Sequence, residues 1–324
     1  MRARIAGTGS YAPERVLSNA DLERMVATSD AWIVERTGIR ERRIAAPGEA
    51  CSDLGTKAAE RALAAAGIAA ADLDMILLAT CTGDSPLPST ACLIQQRLGA
   101  MKAAACDLSA ACCGFVYALG VGNAYVMTGM RHLLVVGAEV MSSLIDWTDR
   151  NTCVLFGDGA GAVVLSPATG DRGVLSTHLH SDGNLWDLIC VPGGGSRTPP
   201  SEKMLSEGLQ YMKMKGNETF KVAVKTLEEA AREALAANQL TVEDLDLYVP
   251  HQANLRIIRS VAARLGLPMD KVVLNLDRYG NTSAASIPLA LDEAVRDGRI
   301  RSGSLVMMEA FGAGLTWAAS VIRW

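Results

Sequence analysis

The sequence predicts an α/β protein built from two similar halves, residues 1–170 and 171–324, stacked as five alternating layers, α/β/α/β/α. Three observations lead there. At 324 residues with 49% apolar content, the chain is about twice the usual domain length and has ample material for a large core. The chain also repeats itself: AAERALAAAGIAAADLDMILLAT at 58–80 realigns with AAREALAANQLTVEDLDLYVPHQ at 230–252, a separation of 230 − 58 = 172 residues. Finally, ACCGFVYALGVGNAYVMTG is apolar almost all round, the pattern of a helix enclosed by sheets rather than facing water.

The elements follow in the same order in both halves. An Ala-rich helix feeds an apolar strand, and a segment ending in RLG follows, at Arg97–Gly99 and at Arg264–Gly266. A short strand comes next, AAACDLSAAC in one half and VVLNLDRYGN in the other, and each leads into a buried central helix. A third strand, LLVVGAEV or SLVMMEAF, is followed in each half by GAG, at 159–161 and at 312–314. Strands alternating with helices imply parallel sheets covered by helices, and the turn-rich SPATGDRG marks the boundary near residue 170. In this alignment Cys112 and Asn281 hold equivalent positions.

Composition narrows the function. A net charge of −4 argues against a nucleic-acid partner held by a broad basic surface. The start of the chain has no sustained apolar run, and no later window has about 18 uninterrupted apolar residues, so a soluble cytoplasmic protein is expected, with no membrane contact. Eight cysteines, at 51, 81, 92, 106, 112, 113, 153 and 190, form no CxxC pair and lie at no metal-ligand spacing. Reduced thiols are expected, and no metal site.

Three residues point to chemistry. Cys112 opens the buried helix, where free N–H groups and the helix dipole favour a thiolate. Adjacent side chains on a helix point about 100° apart, so only one of Cys112 and Cys113 can face a site between the halves, and symmetry with Asn281 selects Cys112. His251, in YVPHQANLRI, follows the C-terminal end of a strand, where α/β sheets gather functional loops. Asn281 begins the second central helix; its side chain can cap that helix or donate to a developing oxyanion. The other histidines, His132, His178 and His180, are read as structural or exposed.

Taken together, SAACCGF, FGDGAGAVVL, PHQANLRII, RYGNTSAASIP and EAFGAGLTW closely resemble β-ketoacyl-acyl carrier protein synthase III, a family with the duplicated thiolase-like fold, over essentially the whole chain. The resemblance implies a cysteine that is acylated, Cys112, with His251 and Asn281 stabilising the enolate formed as a malonyl thioester loses carbon dioxide. It implies an oxyanion hole from the backbone N–H groups of Cys112 and Ala313. Contacts to coenzyme A fall on Thr28, Trp32, Arg36, Arg150, Gly216, Asn217 and Asn254, and four arginines between 36 and 43 offer a local phosphate site. Arg256 and Arg259 are implied to dock the carrier protein, and a homodimer is implied, with no cofactor beyond the coenzyme A thioester substrates. Two positions depart from the family. Gly312-Ala313-Gly314 replaces the commoner triple glycine, and Leu87 stands where an aromatic often closes the acyl pocket, so primers longer than acetyl are expected.

The expected reaction is a decarboxylating condensation of an acyl-CoA primer with malonyl-acyl carrier protein that starts fatty-acid synthesis. A starter or acyl-transfer enzyme of a polyketide or quinolone-type pathway is the alternative within the superfamily. From other classes, a Cys-His thioester hydrolase would need the two side chains directly paired, and a dinucleotide-dependent oxidoreductase would rest on FGDGAGAVVL, whose glycines precede a strand-like AVVL rather than a helix.

Overall fold

The computed structural model describes residues 2–324. Its strands are β1 (Ala3–Tyr11), β2 (Arg15–Ser18), β3 (Glu41–Ile44), β4 (Met75–Ala79), β5 (Ala104–Leu108), β6 (Leu133–Glu139), β7 (Gly159–Pro167), β8 (Gly173–Ser181), β9 (Ile189–Cys190), β10 (Lys213–Met214), β11 (Leu247–Pro250), β12 (Leu305–Gly312) and β13 (Thr316–Arg323). One sheet runs β1-β7-β6-β4-β5 and the other β11-β12-β13-β8.

Five layers are present. Helix Cys51–Ala66 packs on one face of the first sheet, against β1, β7 and β6. Helices Gly114–Met127 and Ser286–Arg296 lie between the two sheets, and Gly216–Ala237 with Leu255–Leu265 cover the far side of the second. Phe115, Val116, Ala118 and Leu119 are fully buried in the central layer, each contributing about 1–3 kcal/mol. The two RLG segments prove to be helix ends: Gly99 and Gly266 cap their helices with φ of 68° and 75°.

Three details differ from the sequence reading. The sheets are mixed: β4, β5 and β6 are parallel and so are β11 and β12, but β1, β7, β8 and β13 run antiparallel to their neighbours. A connection of only three residues between β12 and β13 permits nothing else. The short strand expected in VVLNLDRYGN reduces to one bridge, Val272 with Tyr248, followed by the short helix Leu276–Tyr279.

The two GAG segments are also not alike. Gly312–Gly314 is the β12–β13 turn, whereas Gly159–Gly161 opens β7 beneath helix Ser286–Arg296. A Cβ on Gly161 would sit 2.6 Å from the Pro288 side chain, so that glycine serves close helix–sheet packing rather than a phosphate. Among the described residues no helix is long and apolar enough to cross a membrane, and no group of three or more His, Cys, Asp or Glu is placed to hold a metal ion.

Candidate active site

Each central helix is preceded by a single 3₁₀ turn, Ala111–Cys113 before Gly114 and Ser283–Ala285 before Ser286. Both turns begin with a non-glycine residue in the left-handed region, Ala111 at φ 44° and Ser283 at φ 48°. Such backbone costs on the order of 1–2 kcal/mol and makes a sharp corner. This corrects the alignment of the halves: the structural counterpart of Cys112 is Ala284, and Asn281 lies three residues earlier.

Cys112 is singled out by its surroundings instead. It lines a cavity of about 560 Å³ together with His251, Asn281 and Ala313. Cys113 is fully buried and its thiol donates to the Thr316 carbonyl at 3.2 Å, which gives it a packing role. The expected low-pKa thiolate is also corrected. Burial pushes the Cys112 thiol up to about 12; the Ser283 hydroxyl opposes this and the nearby Glu139 adds to it. In this environment the resting nucleophile is a thiol.

His251 follows β11, its N–H donating to the Glu309 carbonyl on β12 at 2.7 Å. Its Nδ1 lies 2.6 Å from Ser286 Oγ, which accepts from the Gln252 N–H at 3.3 Å. The Ser286 hydroxyl has no other acceptor within reach, so its proton is assigned to Nδ1, which leaves the imidazole proton on Nε2. Burial holds His251 at about 3, so the ring is neutral and acts as a hydrogen-bond donor.

Asn281 is 6% exposed and its Oδ1 accepts from the Ser283 N–H at 2.9 Å. That bond fixes which end of the carboxamide is which and leaves the NH₂ free to donate. Backbone bonds from Asn281 N–H to Leu155 O (2.8 Å) and from Gly157 N–H to Asn281 O (3.0 Å) tie it to the segment before β7. Gly312 lies against Cys112: a Cβ there would sit 2.8 Å from the Cys112 nitrogen, so only glycine brings Ala313 this close. Ala313 is not among the residues with positive φ, as its methyl group requires.

Of the residues expected to contact coenzyme A, Gly216 and Asn254 line the cavity and the others do not. Arg36 and Arg150 lie over the Trp32 ring, at 4.8 and 4.6 Å from its centroid, and Arg150 also donates to the Ala27 carbonyl. Asn217 is exposed at the start of helix Gly216–Ala237, and the Thr28 hydroxyl is buried without a partner. Asn254 caps helix Leu255–Leu265 by accepting from the Arg256 N–H at 2.8 Å, and its NH₂ donates to the Arg36 carbonyl at 3.1 Å. Arg256 and Arg259 are exposed on that helix, with Arg256 5.6 Å from the centroid of Phe220, a cavity residue.

One expected wall residue lies outside the cavity of its own chain, and one expected phosphate contact fails. Leu87 is 86% exposed and does not line the cavity of its own chain; the apolar wall comes instead from residues such as Met141, Leu144, Phe156, Met212 and Met214. Arg42, one of the four arginines read as a phosphate site, is fully buried and donates to the Leu17 and Val154 carbonyls and Asn19 Oδ1. Sequence reasoning also missed Ser286, whose only signal was its place in RYGNTSAASIP.

Residues 106–183 match the family described as 3-oxoacyl-[acyl-carrier-protein] synthase III, and residues 235–324 match its C-terminal part. The β-ketoacyl-[acyl-carrier-protein] synthase III of Alkalilimnicola ehrlichii is 55% identical over 324 residues, covering 99% of each chain. Crystal structures of the corresponding synthases from Aquifex aeolicus and Thermus thermophilus both superpose with a TM-score of 0.93. Their identities are 46% and 48%; the Aquifex alignment covers 99% of this chain and all of the other, and the Thermus alignment covers 99% of each. The chain belongs to the β-ketoacyl-[acyl-carrier-protein] synthase III family of condensing enzymes.

Proposed function

We propose that this enzyme condenses an acyl-CoA primer with malonyl-acyl carrier protein through an acyl group carried on Cys112, with His251 and Asn281 stabilising the enolate. The observation that carries the residue roles is the paired orientation of two donors. Ser286 leaves the His251 proton on Nε2, Ser283 leaves the Asn281 NH₂ free, and both residues face the cavity that Cys112 lines. Neither donor must lose or gain a proton before it can bind an oxyanion.

In the first half-reaction the Cys112 sulfur attacks the thioester carbonyl of acyl-CoA and coenzyme A leaves as its thiol. The N–H groups of Cys112 and Ala313 receive the tetrahedral oxyanion. In the second, the malonyl carboxylate leaves as carbon dioxide, its bonding electrons form the enolate, and the enolate carbon attacks the acyl-cysteine, releasing Cys112 as a thiolate that takes a proton from solvent to restore the thiol. Decarboxylation supplies the carbanion equivalent, so the residues present account for the chemistry without a cofactor. The hydrolase reading is disfavoured because His251 Nδ1 is engaged by Ser286 and burial keeps the ring a very weak base. The family match at 55% identity favours fatty-acid initiation over the polyketide alternative.

The nucleotide end of coenzyme A is read to lie against Trp32, Arg36 and Arg150, and the carrier protein to dock at Arg256 and Arg259. A cytoplasmic homodimer is the form we infer. Strand β5 is an open edge with Ala104 and Cys106 exposed, and Met101 beside it is 71% exposed. Thr90 and Ala91 N–H groups donate to Asp107 on that strand, so the segment carrying Leu87 borders the same edge. Two-fold pairing of β5 strands covers this surface. Mass analysis of Cys112 after exposure to a panel of acyl-CoAs, with and without malonyl-carrier protein, tests the reading: the adduct forms with acyl-CoA alone and disappears as 3-ketoacyl product forms. Free acid released without malonyl dependence contradicts it.

A further inference from the structure

Glu139, at the end of β6, is fully buried behind the cavity wall made by Cys81 and Ser283. Its Oε2 accepts from Thr80 Oγ1 (3.2 Å), the Cys81 N–H (3.1 Å) and Thr82 Oγ1 (2.5 Å). Its Oε1 accepts from Ser283 Oγ (3.0 Å) and the Cys81 thiol (3.3 Å). Thr82 Oγ1 itself accepts from the Val140 N–H at 2.8 Å, so its one proton is directed at Glu139. Burial pushes this carboxyl above its usual range, and the Thr82, Cys81 and Ser283 donors pull it back. A group ringed by donors on both oxygens is an acceptor on both, which is the carboxylate form.

Ser283 is where this network meets the chemistry. Its backbone is left-handed and strained, its N–H is the group that fixes Asn281 Oδ1, and its hydroxyl is held by Glu139. We propose that Glu139 is a positioning residue of the condensation step: through the Ser283 hydroxyl it holds the strained turn that aims the Asn281 carboxamide into the cavity. This rests on the enolate role given to Asn281 above. A second consequence follows from placement. The ionisable or polar groups around Cys112 are Cys81 from the loop after β4, neutral His251 after β11, Cys113 from its own turn, the Asn281 carboxamide and the Ser283 hydroxyl, with Glu139 of β6 behind them; Glu139 is the one that carries charge.

The test compares Glu139→Gln, Ser283→Ala and Asn281→Ala, and each of the first two combined with the third. Cys112 acylation is read by mass, and carbon dioxide release is read from malonyl-carrier protein. Gln presents an NH₂ where the network supplies only donors, and Ala removes the Ser283 link while keeping its backbone N–H. Both single variants should release carbon dioxide about 10- to 100-fold more slowly; Glu139→Gln should acylate Cys112 at least as fast as wild type, and Ser283→Ala, which also takes a donor from the Cys112 sulfur, should lose much less in acylation than in decarboxylation. Added to Asn281→Ala, neither should slow release further, because both act through the same amide. Removing the charge in Glu139→Gln should also shift the pH profile of Cys112 alkylation by iodoacetamide downwards, which a merely structural role would leave in place. If Glu139→Gln slows Asn281→Ala as much as it slows wild type, or if acylation falls together with decarboxylation, the inference is overturned. Full-rate carbon dioxide release by Asn281→Ala alone would instead overturn the enolate role of Asn281 on which it rests.

Discussion

Ser286 Oγ lies 2.6 Å from His251 Nδ1, and this single contact determines what the histidine can do. With Nδ1 occupied as an acceptor, the ring presents Nε2–H to the cavity. Ser286→Ala leaves Nδ1 without its donor and allows the other tautomer, in which Nε2 is a lone pair facing an oxyanion. Decarboxylation should fall by about tenfold or more while acylation of Cys112 persists, measured by carbon dioxide release and by protein mass. Equal losses in both half-reactions would show that Ser286 supports the fold rather than the tautomer.

Gly312→Ala should be severely impaired in acylation. Its Cβ would sit 2.8 Å from the Cys112 backbone nitrogen, an atom that cannot move without displacing the helix start. A loss of about 1–3 kcal/mol in stability and a fall in the second-order rate of Cys112 acylation are expected, measured by denaturant unfolding and stopped acyl transfer. A variant that is as stable and as readily acylated as wild type would place Gly312 further from Cys112.

Two buried groups give the folded state opposite pH slopes. His251 is held at about 3 by burial, against 6.5 when exposed, so the unfolded chain gains a proton first and stability falls as pH drops below 6.5. Glu309, on β12, is pushed up to about 8 by burial, against 4.5, so the unfolded chain loses its proton first and stability falls as pH rises from 4.5 towards 8. Each slope is about 1.4 kcal/mol per pH unit within its window. Between about 4.5 and 6.5 the two slopes cancel, so in urea unfolding at a series of pH values Glu309→Gln should remove the loss between 6.5 and 8 and uncover the His251 loss below 6.5, whereas His251→Asn should leave stability falling steadily from 4.5 to 8. Unchanged slopes would mean that these groups are solvated.

Arg256→Glu should raise KM for malonyl-carrier protein several-fold and weaken its dependence on salt, since Arg256 lies beside Phe220 at the cavity mouth and its charge would meet an acidic partner. Acylation by acyl-CoA should change less, because the proposed nucleotide contacts are Trp32 and Arg150 on other segments. Equal loss with both substrates would assign Arg256 to the packing of helix Leu255–Leu265.

The order of elements was legible because each element leaves a local signal: the RLG segments, the Ala-rich repeat and the apolar helix after Cys112 all recur where the periodicity put them. The partners of the site were not, because they are distant in sequence. Ser286 is 35 residues from His251, and Glu139 is 144 from Ser283. Arg42 reads as a surface cation in a run of charges, yet its side chain turns inward to backbone carbonyls that no local pattern reveals. The equivalence of Cys112 with Asn281 failed for a related reason. The halves keep one 172-residue offset from β5 and helix Leu276–Tyr279 through the left-handed residues Ala111 and Ser283, and that offset pairs Cys112 with Ala284; Asn281 precedes the turn, a placement that no residue type in the two segments signals.

The separation of the two half-reactions is the central claim, and one paired measurement tests it most directly: Cys112 acylation by acyl-CoA and carbon dioxide release from malonyl-carrier protein, in wild type, His251→Ala and Asn281→Ala. Each donor aimed at the enolate should be worth about 10²- to 10³-fold in rate. Both variants should therefore carry the acyl group on Cys112 at close to the wild-type rate and release carbon dioxide at least a hundredfold more slowly. Wild-type release of carbon dioxide by both variants, or an acyl group mapped to Cys113, would contradict the account.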